Sequence, residues 1–368
     1  MRLATCLILL TYCLAASGQD ISNPRRYMFV ADTLEPVIDV VDLRSEEVVY
    51  RIKTETLVDH VLVTPYAPVL IYANIEAQSV SFYNLESKTL ARTLQLDLIP
   101  RHLVIDTSGR RVAVTDSQEG GFALLSAYGF SVEFELPDFP ATGDVLFDPN
   151  DVDIYFSDVS RGQVGVLDMN LRRIFEIPVL DAPGDGLSSP SRSLDGRYIY
   201  VANTDSGEVF GINAFNRTVY KTFRNGAAPA RPYTTPEGLF LYVMDERTGR
   251  FSVFDQQRFE PWAEVELEGG ADLVSVGRFD RLNLLSSTMH RAYGIYDNIE
   301  RRMVSRGEFP GTPLDSQGAA DGRTAYVAFR DRPEVAVIDI ETQKVRFIAA
   351  VEHGVADFVV GLTNNVCH

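Results

Sequence analysis

Hydrophobic and polar positions along the chain alternate in short runs, and the same run recurs at a spacing near 42 residues. Its clearest copy is Ser193-Leu194-Asp195-Gly196-Arg197-Tyr198-Ile199-Tyr200-Val201-Ala202-Asn203, followed by a Gly-bearing loop and a second apolar run, Glu208 to Asn213. The pairs that end the first apolar run are Ala31-Asp32, Ala73-Asn74, Thr115-Asp116, Ser157-Asp158, Ala202-Asn203, Met244-Asp245, Ser287-Thr288 and Ala328-Phe329. Period-two alternation over four to eight residues marks half-buried strands. Several such runs inside one repeat of about 42 residues mark a propeller blade of four antiparallel strands.

The unit from Ile99 to Leu136 shows the blade. Arg101 to Asp106 reads as a first strand, Arg111 to Asp116 as a second, Phe122 to Ser126 as a third and Ser131 to Leu136 as a fourth. The tight turn between first and second strands carries glycine at Gly109, Gly196, Gly238 and Gly322, where a positive φ is needed. The aspartates and asparagines that end the second strands (Asp32, Asn74, Asp116, Asp158, Asn203, Asp245) read as loop starters that accept from nearby backbone amides. Asp148 to Asp153 mimics a calcium loop, but it lacks the glycine at position six and aligns with the hairpin turn of other blades.

The ends of the chain predict ring closure. The repeat series opens on a second strand, Tyr27-Met28-Phe29-Val30, and closes on an unmatched first strand, Val355 to Gly361. Pairing the two completes one blade from both termini and removes the exposed edges. The expectation is an all-β chain forming a single β-propeller of eight blades; seven is the alternative if the unit around Asn283 to Phe309 is irregular.

The Tyr-Val-Ala-Asn phrase at residues 200–203, the Ser-x-Asp-Gly turn at 193–196 and the run Val335-Ala336-Val337-Ile338-Asp339-Ile340-Glu341-Thr342 resemble YVTN-type propeller repeats. The resemblance spans nearly all of residues 19–363. It implies the propeller fold and leaves activity open, because that group includes binding proteins, cell-surface proteins, lactonase-like enzymes and haem d1-carrying domains. The haem d1 domains are eight-bladed and close by pairing their termini.

Residues 1–18 read as a secretory signal peptide, with Arg2, an apolar stretch through Leu7 to Leu10, and small residues at Ala16-Ser17-Gly18. The expectation is an exported protein, periplasmic or secreted, with a propeller over 19–363 and a tail over 364–368. No stretch has the roughly 18 consecutive apolar residues of a membrane span. Cleavage would remove Cys6 and Cys13 and leave Cys367 alone, so no disulfide within the chain is expected, and Cys367 is available for an intermolecular contact. In Asn364-Asn365-Val366-Cys367-His368, Asn364 stands where a covalent haem site needs its first cysteine. The net charge of −17 disfavours nucleic acid and anionic surfaces as partners.

Candidate chemistry emerges when the eight first strands are superposed on their turns. One channel-mouth position is then held by Asp357, His60, His102, Asp144, Ser189, Arg231, Leu273 and Asp315. His353 falls in the loop before the last of these strands, and His290 in the second-to-third loop of the seventh unit, on the same face. Imidazole titrates near neutrality and is a common transition-metal ligand, so His60 and His102 are candidate metal ligands. Asp357, Asp144, Arg231, Asp315, His290 and His353 are candidate ligand contacts. A duplicated structural hydrogen-bonding residue explains the two histidines equally well. Three functions stay open: a module binding a protein or small molecule, a metal- or haem d1-type cofactor protein, and a lactonase-like hydrolase in which Arg231 would polarise a carbonyl.

Overall fold

A computed structural model describes residues 19–180, 186–226, 228–245 and 247–361. The signal-peptide reading, the tail and Cys367 lie outside the described residues. The described chain forms eight four-stranded antiparallel sheets. Each is a blade. The eight-bladed expectation holds and the seven-bladed alternative does not, because the unit from Leu273 to Glu308 pairs as regularly as its neighbours.

Blade 1 joins the two ends of the chain. Val355–Val360 is its inner strand and pairs antiparallel with Tyr27–Asp32, with Met28 opposite Val360 and Ala31 opposite Asp357. Val37–Asp42 and Glu47–Lys53 complete it. Blades 2 to 8 follow in order, with inner strands at His60–Val63, His102–Ile105, Leu146–Phe147, Ser191–Arg192, Tyr233–Thr234, Leu273–Val276 and Pro313–Gly318.

Burial falls from the middle of each blade outward. Second and third strands such as Val69–Asn74 and Val37–Asp42 are buried along their whole length, since neighbouring blades cover both faces. Outer strands such as Thr89–Gln95 are almost wholly exposed. Large side chains bridge the gaps. Phe122, Phe139 and Phe156 run across blades 3 and 4 with ring centroids 5.1 and 4.3 Å apart.

The predicted turns take their predicted form. Gly109, Gly196, Gly238 and Gly322 have φ of +70°, +68°, +69° and +61°. Asp32, Asp116 and Asn203 accept from amides two and three residues on. Asp148 caps its own hairpin by accepting from the Val152 and Asp153 amides at 2.6 and 2.9 Å. A second periodic feature has no sequence signature. The hairpin between third and fourth strands places a non-glycine residue at positive φ in every blade: Glu46, Lys88, Phe130, Arg172, Arg217, Phe259, Arg301 and Gln343. A register shift follows in several blades, as between Val40 and Val41 or Ile295 and Tyr296. The hairpin loop is four residues long, as Asp42 pairs with Glu47, and its last residue is the left-handed one.

Candidate functional site

The inner strands of all eight blades face the central channel, and residues at or near the entry of each form a ring at its mouth. Five of the eight predicted positions, Asp144, Arg231, Leu273, Asp315 and Asp357, line a cavity of about 390 Å³. That volume falls within the range of small-molecule sites. His60 and His102 stand at its rim, directly before the lining residues Val61 and Leu103.

The ring residues pair with one another across blade boundaries. His102 Nδ1 lies 3.0 Å from Asp144 Oδ1 on the next blade. His60 Nδ1 lies 3.7 Å from Asp357 Oδ2 on the preceding blade. The two imidazoles are thus adjacent, and each turns its Nδ1 toward a carboxylate on its outer flank. Among the described residues neither Nε2 has a hydrogen-bond partner. A carboxylate on Nδ1 fixes ring orientation and favours a proton there, which leaves Nε2 as the acceptor.

Two further contacts hold the carboxylates. Asp144 also receives Arg231, whose Nη1 is 3.4 Å from Oδ2, although Arg231 belongs to blade 6 and Asp144 to blade 4. On the way its Nη2 donates to the Pro190 carbonyl at 3.0 Å, so the guanidinium spans blade 5. Asp357 accepts from the Val61 amide at 2.8 Å and from the Phe358 amide at 2.8 Å.

The electrostatics follow from these contacts. Burial raises the Asp144 pKa, but the His102 hydrogen bond and the Arg231, His102 and His60 charges outweigh it and hold the carboxyl down at about 2. Burial depresses the His60 imidazole, yet Asp357 facing it at 3.7 Å, with the charges of Asp59 and Asp144, carries it above its ordinary value. Asp315 goes the other way for a carboxylate. Burial, with Asp357 and Asp144 nearby, pushes it up despite its bonds from Gln317 and Ser316.

The other two described histidines, His353 and His290, lie on the same face but outside the channel. His353 Nδ1 is 3.1 Å from Asp32 Oδ1, and its backbone amide also bonds Asp32. His290 lines a separate open groove with Thr204, Asp205, Arg247 and Met289. The four histidines therefore do not form one cluster. Among the described residues no group of three or more His, Cys, Asp or Glu is arranged to hold a metal ion.

Three contributors escaped the sequence reading. Gln317 ties blade 8 to blade 1: its Nε2 donates to Asp315 and to the Phe358 carbonyl, and its Oε1 accepts from the Val360 amide. Asp272, one residue before Leu273, lines the cavity and accepts from the Thr288 amide at 2.8 Å. Ser191 lines the cavity on blade 5. Asp59 offered the only signal for Asp272, as the same residue type at the same position of blade 2; it accepts from the Ile75 amide.

No protein-family model matches the sequence, and no curated protein matches it. Solved structures match its fold. Dihydro-heme d1 dehydrogenase NirN in complex with DHE superposes with a TM-score of 0.78 at 16% identity, over 94% of this chain and 77% of that one. Hydrazine synthase of Kuenenia stuttgartiensis gives 0.56 at 14% identity, over 80% and 96%. The β-propeller domain of Myceliophteria thermophila Cps50 (Swd1) gives 0.57 at 13% identity, over 79% and 96%. At these identities the likeness is one of fold. The eight-bladed ring is the fold that the resemblance to YVTN-type repeats implied. No helix among the described residues is long and apolar enough to cross a membrane.

Proposed function

We propose that this protein is an exported propeller that binds a small ligand at the mouth of its central channel, with His60 and His102 at the rim and Asp315 and Asp357 inside. The observation that carries this reading is the paired arrangement Asp357–His60–His102–Asp144, in which both imidazoles face a carboxylate through Nδ1 and keep Nε2 unengaged. Each imidazole is about a third exposed, so its Nε2 is open to a group entering the channel. The test is native mass spectrometry and an absorption spectrum of protein isolated from its own exported compartment. A bound molecule that is lost in His60→Ala/His102→Ala supports the reading. Ligand that is retained at wild-type occupancy in that variant contradicts it.

The likeness to a haem d1 enzyme at a TM-score of 0.78 favours a second reading, a tetrapyrrole in the channel. The residues fit it in part. Two free Nε2 atoms suit an iron. The carboxylate side chains of such a macrocycle need cations, however, and the cavity offers Arg231 already bonded to Asp144 and Pro190, beside Asp144, Asp272, Asp315 and Asp357. That acidic lining disfavours a polycarboxylate guest. A hydrolase reading would have His60 or His102 as its base, but the guanidinium it would assign to a substrate carbonyl is already engaged by Asp144 and the Pro190 carbonyl.

A further inference from the structure

What the site selects can be read from how unevenly its walls are charged, and this inference rests on the channel being a binding site. Asp144 is engaged by His102 and Arg231. Asp357 is engaged by backbone amides and faces His60. Asp315 differs. Its partners are the Ser316 amide at 2.7 Å and the Gln317 side-chain amide at 3.1 Å, and among the described residues no Lys, Arg or His pairs with it. It lines the cavity beside Asp357, and both burial and its acidic neighbours resist its ionisation. A carboxylate so placed is relieved by a cation brought in from outside.

Two other walls describe the rest of the guest. Blades 6 and 7 contribute Tyr233, Met244, Leu273 and Val274, an apolar arc suited to a hydrocarbon body. Blade 5 contributes Ser191, which is 4% exposed, lines the same cavity and carries a hydroxyl without a hydrogen-bond partner among the described residues. Buried hydroxyls are rarely left unpaired, so this one points to an incoming polar atom.

We propose that the channel selects a small organic cation, a protonated amine on a compact apolar body, with its ammonium group held between Asp315 and Asp357 and its body against Leu273 and Val274. Ser191 takes a polar atom of the guest. The acidic net charge of the chain draws such cations toward the protein from solution.

Benzylamine, benzyl alcohol and benzoate share one body and differ in charge, so calorimetry or ligand-observed NMR with these probes at neutral pH isolates the charge preference. The expected result is benzylamine bound about tenfold tighter than benzyl alcohol, with benzoate weakest. Asp315→Asn removes that preference while benzyl alcohol binding persists. The wild-type ranking decides the matter even if the variant does not fold. Benzoate bound as well as benzylamine, or all three alike, overturns the cation inference and leaves the channel a binding site. Failure of all three to bind counts against the channel as a small-molecule site at all.

Discussion

His102 and Asp144 stand 42 residues apart in the sequence and meet at 3.0 Å across the boundary between blades 3 and 4. The separation is one repeat, so the same position of two successive blades supplies a base and its orienting acid. Their contact sets the imidazole, and Arg231 anchors the carboxylate from two blades away. Asp144→Asn is expected to leave the fold intact while weakening any ligand that uses the His102 Nε2 by roughly 10- to 100-fold. Titration calorimetry on the two proteins checks this.

The ring carries a pH signature. Asp144 titrates at about 2 in the folded protein, below the ordinary 3.8. Its contribution to stability is present above pH 3.8 and is lost as pH falls toward 2. With the side chain 43% exposed, screening reduces it to an order of 1 kcal/mol. His60 is raised above 6.5, so its contribution is present below that value and is lost as pH rises through the folded one. Asp315 is raised above 3.8, so the folded state disfavours its ionisation and stability is lost as pH climbs past that value. Denaturation series against pH should show Asp144→Asn less stable than wild type at pH 5 to 6 and Asp315→Asn more stable near pH 7.

Ring closure depends on one strand from the far end of the chain. Val355, Phe358, Val359 and Val360 are each no more than 2% exposed. Burying four such side chains contributes on the order of 6–12 kcal/mol, comparable to the whole stability of a domain. Removal of residues 355 onward also bares the edge of Tyr27–Asp32. The truncated chain is expected to aggregate or remain unfolded, as read by size-exclusion chromatography and circular dichroism.

The left-handed hairpin position offers a stabilising substitution. Gln343 adopts φ +60° on an exposed turn. A non-glycine residue there costs about 1–2 kcal/mol, offset in part by the greater freedom glycine has when unfolded. Gln343→Gly is expected to gain up to about 1 kcal/mol in a thermal melt. Arg301→Gly should gain less, because Arg301 sits 3.8 Å above the Trp262 ring and that contact is lost.

The fold was legible because eight copies of one phrase reinforce each other, and because glycine at the tight turn and Asp or Asn at the loop start are residue-type signals. Glu46, Phe130 and Arg301 share a left-handed backbone yet no chemistry, so only coordinates reveal them. Superposed repeats also brought out five residues that line the channel cavity, Asp144, Arg231, Leu273, Asp315 and Asp357. They could not show that Arg231 reaches past blade 5, since that depends on side-chain length across a closed ring. His290 and His353 were placed on the right face but not at the axis, because loop residues splay outward and bond locally, as His353 does to Asp32. Gln317 and Ser191 lie further along inner strands of ordinary composition.

The central claim is that His60 and His102 guard a ligand site in the channel. Imidazole nitrogen NMR of labelled protein tests it most directly. The account predicts that at alkaline pH His102 carries its proton on Nδ1, and that a ligand entering the channel shifts the His60 and His102 signals while His290 stays unmoved. A His102 proton on Nε2, or ligand binding that moves His290 and leaves His60 and His102 unchanged, would contradict it.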